Sequence, residues 1–439
     1  MARAPGQERV ADALALARRL GASQAEASAS FSSGLSVTVR MRSVETLEYH
    51  RDQGLAVTVY FGRCKGSAST SDLGAQAIEE SVRKACSLAR YTAEDPCAGL
   101  ADAERLAREP PDLDLWHPWP IDAAAAIDIA TECEAQALDA DPRISNSEGA
   151  SVSSQDGCRA YGNSQGFLHG YRDTHHSIAC AVLAGHEGQM ERDFEFTTAR
   201  SSEDLEPAGR VGREAARRAL ARLGALKLST RVAPVLYPAR LARGLIGHLV
   251  GAISGGAQYR RSSFLLDSIG TQVMADCVRI SERPHLRRGL ASAPYDEEGV
   301  ATVDRCLVDR GVLQGYVLGS YSARKLGMSS TGNAGGVHNL VVADTGESFE
   351  QLLARMRTGF LVTELMGSGV NPVTGDYSRG AVGFWVEGGE IRHPVSEVTI
   401  AGNLRDMFQG ILAVGTDTDI RGGIRSGSIL VRGMTVAGN

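Results

Sequence analysis

One histidine sits inside the stretch LARGLIGHLVGAISGG, residues 241–256, and its neighbours decide what chemistry it can do. A protease zinc helix sets two imidazoles one turn apart on one face, with a glutamate between them as general base. His248 is followed by Leu249, and the positions four and five further on are Ala252 and Ile253. No two-histidine metal face can be built from this helix. Its stripe reads Leu241, Leu245, His248, Ala252, so His248 is expected on the apolar face as a buried imidazole satisfied by a local hydrogen bond.

The other candidates give no firmer chemistry. HEGQME, residues 186–191, begins like a metalloprotease motif but lies in a glycine-flanked turn, and position 190 is Met. His175 and His176 are adjacent in an expected strand, so their rings point to opposite faces. Cys306 falls in the hairpin VDRCLVD and reads as a small strand residue. There is no GxSxG elbow, Walker A motif or GxGxxG turn. The segment GNAGGVHNL, residues 332–340, carries more. Its glycines Gly335 and Gly336 can expose backbone N–H groups, with His338 and Asn339 at the mouth. Either the loop packs on its own domain, or it walls a groove that holds an extended peptide by main-chain hydrogen bonds.

Behind these residues the expected class is α+β. Residues 1–95 form an N-terminal lobe. A helix lies over 7–20; strands follow in GLSVTVRMRSVETLEYH and GLAVTVYFGRCKGSAST, punctuated by Gly54 and Gly62. A helix capped near Asp72 then buries Ile78, Val82, Ala85 and Leu88. A Pro- and Asp-rich arm spans 96–121. The middle lobe, 122–228, holds a helix from Asp122 and a strand meander turning at Gln155-Asp156-Gly157 and at Gly185-His186-Glu187-Gly188. A second, Arg- and Ala-rich helix closes it. The C-terminal domain, 229–439, is a glycine-rich mixed sheet with short helices. Its hairpins turn at Asp309-Arg310-Gly311 and Gly388-Gly389.

The bulk composition excludes several classes. With 439 residues, 43% hydrophobic and 22% charged, the chain supports a large core. A net charge of −6 and the absence of a basic run argue against direct nucleic-acid binding. The N-terminus has no apolar core of a signal peptide, and no window suits a membrane span. The eight cysteines form no CxxC pair. The expected location is the cytoplasm.

Several segments together resemble the TldD/PmbA family, once described as modulators of DNA gyrase and now viewed as a peptidase system. They are GSASTSD with its helix, ARYTAEDPCAGLAD, GHLVGAISGGAQYRRSSFLLDSIG, STGNAGGVHNL, NPVTGDYSRGAVGFWVEGGEI and VSEVTIAGNLRDMFQGILAVGTD. The similarity is to the PmbA branch, also called TldE. The resemblance implies that the HExxxH helix of the TldD branch falls on or beside Leu245–Val250. Here Leu245, His248 and Val250 mark a degenerate site, and the last cysteine is Cys306, so the family's C-terminal cysteine is missing too.

The implied role follows from that vacancy. This chain carries no catalytic residue and no metal. A TldD-type paralogue, its partner in a heterodimer, holds the metal, expected to be zinc, and cuts extended or unfolded peptides. A homodimer is possible where that partner is missing. Two other functions stay open: a self-sufficient peptidase with a site around Asp376 or His338, and a non-enzymatic modulator of DNA gyrase.

Overall fold

The computed structural model describes residues 6–438. The N-terminal half runs α1 (Gln7–Arg19), β1 (Gln24–Arg40), β2 (Ser43–Phe61), β3 (Cys64–Thr70), α2 (Ala75–Tyr91), α3 (Ala123–Leu138), β4 (Ile144–Asn163), β5 (Leu168–His186), β6 (Gln189–Ala199) and α4 (Ala208–Ala221). Its strands form one antiparallel sheet in the order β3-β2-β1-β4-β5-β6. Strands from the segments 1–95 and 122–228 are therefore neighbours in a single sheet, joined where β1 pairs β4 from Glu26↔Asn163 to Val39↔Ala150.

Alternation along β1 explains why the sheet has two unlike faces. Ala25, Ala27 and Ala29 pack with α1 and α2 at one end, and Leu35, Val37 and Val39 pack with α3 and α4 at the other. Glu26, Ser28, Ser30 and Ser32 are the alternate residues and so stand on the opposite face. Cross-strand partners share a face, which places Ala56 and Thr58 of β2, and Arg159 and Tyr161 of β4, beside them.

Two expected turns are interior strand positions instead. Gln155-Asp156-Gly157 lies inside β4, paired on one side with β1 and on the other with β5. Asp156 does not turn the chain; its carboxylate takes the Trp116 indole N–H and the Arg172 guanidinium. Gly54 lies inside β2, where it pairs with Ser30. Helix α2 starts later than the Asp72 signal suggested, at an N-cap of Gly74 whose N–H donates to Asp72 Oδ1 at 2.7 Å. Its buried stripe ends on Ala89, and Leu88 is exposed. The turn at Glu187-Gly188 is as expected.

The C-terminal half runs β7 (Arg231–Tyr237), α5 (Ala239–Ala252), α6 (Gly255–Tyr259), β8 (Ile280–Glu282), β9 (Arg305–Asp309), β10 (Val312–Leu313), α7 (Ser320–Lys325), β11 (Leu340–Val342) and α8 (Phe349–Met356). It continues with β12 (Gly359–Met366), β13 (Asp376–Glu387), β14 (Glu390–Asn403), α9 (Leu404–Gln409), β15 (Ile411–Val414), β16 (Ile424–Arg425) and β17 (Ile429–Ala437). One sheet has the order β14-β13-β12-β7-β17-β15, and an extra pairing of β14 with β17 closes its first five strands into a ring. A second sheet runs β10-β9-β8-β11-β16. A continuous apolar core, with Tyr237, Ile246, Leu249, Phe264 and Phe360 among its fully buried side chains, joins both sheets to α5.

Two polar seams fasten the halves. The arm 96–121 lies across the boundary: Arg324 of α7 donates to the carbonyls of Cys97, Gly99 and Leu100, and Ala107 N–H donates to Gly299. On the far side, buried Asp193 and Glu195 of β6 meet Arg240 of α5 and Arg421 beside β16, while Arg222 pairs with Glu364 of β12. No helix among the described residues is long and apolar enough to cross a membrane.

Candidate functional site

Between the seams, the helix-free face of the N-terminal sheet looks across a groove of about 1320 Å³ at loops of the C-terminal half. The floor is β1, β2, β4 and β5, and the wall is 254–259, 293–298 and 333–338. At the floor, Glu26 accepts the hydroxyls of Tyr60 at 3.0 Å and Tyr161 at 2.8 Å. Burial pushes its carboxyl pKa up and outweighs the two hydrogen bonds, with the Glu298 charge adding to the rise. Both tyrosines are pushed up as well, by burial first and then by the Glu26 charge.

The wall carries its own carboxylates. Asp296 accepts the backbone N–H groups of Glu298, Val300 and Ala334, yet burial raises its pKa to about 6. Glu297 abuts Gly335, where a Cβ would lie 2.6 Å from the Glu297 carboxyl carbon. Gly335 also has φ of 94°, so the loop requires glycine there for both reasons. Among the groove residues, Glu26, Asp52, Asp173, Asp296, Glu297 and Glu298 face a single guanidinium, that of Arg159. The groove is acidic.

The residues singled out in GNAGGVHNL part company here. Gly335, Gly336 and His338 line the groove. Asn339 does not: it is fully buried, donating to the Arg283 carbonyl and the Ser292 hydroxyl and accepting from Ala291 N–H. Its amide is the only kind of side chain that satisfies two acceptors and a donor at once, which makes it a brace for the loop rather than a contact at the mouth. His338 is held by Glu282, whose Oε1 takes both its N–H at 2.7 Å and its Nδ1 at 3.2 Å. Asp376 lies outside the groove, in a surface turn with Thr374 and Asn403.

His248 lies at the edge of the core rather than inside it. The buried side of α5 is Ala242, Leu245, Ile246, Leu249 and Ala252. His248 is half-buried at the margin of that side, one turn from Leu245 and Ala252, and next to it lie Gly244 and Gly251, where a Cβ would meet nothing within 4 Å. Its ring stands edge-on to Tyr377 at 5.9 Å, and burial together with the nearby Arg379 charge lowers its pKa. Val250 is half-buried against the core edge. Among the described residues, no group of three or more His, Cys, Asp or Glu side chains is gathered so as to hold a metal ion. The donor set at Leu245, His248 and Val250 does not fit one.

The acidic lining was missed in the sequence, although two signals carry it. EASAS in β1 alternates small inward residues with polar outward ones, and YDEEGV, residues 295–300, puts three acids before a glycine.

Polar strands facing glycine-rich loops across a groove, and domains matched in sequence order by peptidase models, put the molecule in the class of metallopeptidase-family proteins. The chain belongs to the PmbA/TldA metallopeptidase family: the models of domain 1, the central domain and the C-terminal domain match residues 25–89, 116–223 and 230–438. It is 52% identical to the metalloprotease PmbA of Escherichia coli O157:H7, over 98% of this chain and 96% of that one. A metalloprotease PmbA homolog of Haemophilus influenzae is 49% identical over 99% and 96%. A crystal structure of a candidate modulator of DNA gyrase from Bacteroides thetaiotaomicron superposes with a TM-score of 0.94 at 27% identity, covering the whole of both chains.

Proposed function

We propose that this chain is the metal-free subunit of a two-chain metallopeptidase acting on unfolded or extended peptides in the cytoplasm. A TldD-type paralogue supplies the metal, zinc, and makes the cut. One observation carries the reading: a large groove lined by acids, in a chain with metalloprotease relatives, has among the described residues no donor set for a metal. The groove would take a peptide in extended form, because its floor is a sheet face and its wall a glycine loop. At Gly335 the loop's main chain lines the groove and would pair with a peptide main chain whatever its side chains, while Gly336, whose N–H donates to Asn333 O and whose carbonyl accepts Asn333 Nδ2, holds the loop in shape. His338, fixed by Glu282, would orient it from the same wall.

The acidic lining weighs against the gyrase-modulator reading as a direct DNA contact, since phosphates would meet six carboxylates and one guanidinium. The place of Asp376 outside the groove weighs against a self-sufficient site around Asp376.

The test is reconstitution. Purified chain alone, supplied with zinc, should bind no stoichiometric metal and leave an unfolded peptide intact. Mixed with a TldD-type subunit it should co-purify in equal amounts and cleave, with the metal in the partner. Cleavage by the lone chain overturns the proposal.

A further inference from the structure

A buried carboxylate is costly unless a cation or a set of donors meets it. Three carboxylates of the groove lie within electrostatic reach of one another. Glu26 on the floor and Asp296 on the wall both sense the charge of Glu298, which adds to the upward pull of burial on each. Their hydrogen bonds come from neutral donors. Glu26 takes the Tyr60 and Tyr161 hydroxyls, Asp296 takes three backbone N–H groups, and Glu298 Oε2 takes the Ser320 N–H at 2.8 Å. Among the described residues, no ion pair holds Glu26, Asp296, Glu297 or Glu298. The cations of α7 are engaged elsewhere, Arg324 with Asp102 and Lys325 with Asp95. Lys65, whose charge Glu26 senses, is on β3 and does not line the groove.

A second observation does not depend on charge. Tyr295 lines the wall and is 6% exposed, and its hydroxyl has no hydrogen-bond partner among the described residues. Its ring meets Tyr171 of β5 edge-on at 5.8 Å, and it senses Cys158 and Arg159 of β4. Those three residues line the groove, so Tyr295 reaches from the wall toward the floor. Burial keeps the phenol protonated. Its oxygen is an acceptor that a donor-rich ligand would satisfy.

The chemistry of the cation follows from the spacing. A bare metal ion does not suit it, because among the described residues no three such groups gather within ligating reach. An ammonium or guanidinium on a flexible stem does. Its several donors can reach separate acceptors, and the apolar stem can lie along the Tyr161 and Tyr171 rings. We infer that the groove selects extended peptides carrying a lysine or arginine side chain, received between Glu26 and Glu298 with the Tyr295 hydroxyl as a further acceptor.

This names the substrate class of the groove and rests on the reading of it as a peptide site. The test is calorimetric titration of the purified full chain with short peptides of one Gly/Ser sequence. Each carries a single central Lys, Arg, norleucine or Glu, and each is made with a free and with an acetylated amino terminus. Acetylated Lys and Arg peptides should bind about tenfold more tightly than the norleucine peptide, and the Glu peptide most weakly. Raising NaCl from about 50 to about 500 mM should narrow that gap. The Glu297→Gln/Glu298→Gln variant keeps an acceptor for the Ser320 N–H. It should bind the norleucine peptide as the native chain does and lose most of the preference. Glu26→Gln should do the same from the floor, and Tyr295→Phe should weaken the Lys peptide alone. Equal affinities for the Lys, norleucine and Glu peptides would overturn the inference and leave the peptide groove standing. So would a preference unchanged in both Gln variants, or binding that requires a free amino terminus. Failure to bind any of the peptides would overturn the groove reading with it.

Discussion

Glu282 Oε1 receives both the backbone N–H and the ring Nδ1 of His338, while its Oε2 takes Arg305 Nε at 2.6 Å. The carboxylate is 2% exposed and also binds Asn333 Nδ2 at 2.7 Å. One buried charge thus fixes both ends of the loop that walls the groove. Glu282→Ala leaves Arg305 buried without its partner and should cost on the order of 3–5 kcal/mol in urea unfolding. Burial raises the Glu282 pKa, but the His338 and Arg305 donors outweigh it and the net shift is downward. Its contribution is therefore present above the ordinary value of 4.5 and lost as pH falls through the lower folded value. Native chain should lose stability in that acid range more steeply than Glu282→Gln.

Asp296 gives the opposite slope. Its folded pKa is about 6, raised from 3.8, so the folded state binds more protons between those values. Stability from this group falls as pH rises from about 4 to about 6, by roughly 3 kcal/mol at most. Asp296→Asn should flatten that part of the pH–stability curve. An unaltered slope in the variant would show that the carboxyl titrates normally.

On α5, His248→Ala and Leu249→Ala should separate the margin of the buried side from its centre. His248 is half-buried at the margin of the core, edge-on to Tyr377, so its removal should cost about 1 kcal/mol. Leu249 is fully buried, and its truncation should cost about 2–5 kcal/mol. Equal losses would return His248 to the core.

Gly212 marks the closest approach of α4 to α3. A Cβ there would lie 1.9 Å from the Cys133 carbonyl oxygen, which is backbone and cannot rotate away. Gly212→Ala should force the helices apart and cost about 1–3 kcal/mol or more, read as a lowered thermal midpoint. Gly244→Ala meets nothing within 4 Å and should stabilise α5 slightly through helix propensity.

Much of the element pattern was legible because it is local. The helix expected over 7–20 and the Arg310-Gly311 and Gly388-Gly389 turns follow from spacing and turn chemistry over a few residues. Asp156-Gly157 misled for the same reason. Its composition signals a turn, but strands on both sides supply ladder partners that outweigh the local preference. How deeply His248 is buried was not legible, because it sits at the margin of the stripe and its exposure depends on Tyr377, far away in the chain.

Residue order alone determined the α+β class, the family motifs, the single histidine of 241–256 and the glycine loop at 332–338, since each is a matter of residue type at short separation. Only the tertiary structure decided that β1 and β4 would join two segments into one sheet, and that Glu26 would face Asp296 and Glu298 across a groove. It also decided that Asn339 would brace the loop from behind while His338 lines the groove. The first two facts depend on partners more than a hundred residues away and the third on burial, and neither is written in local spacing.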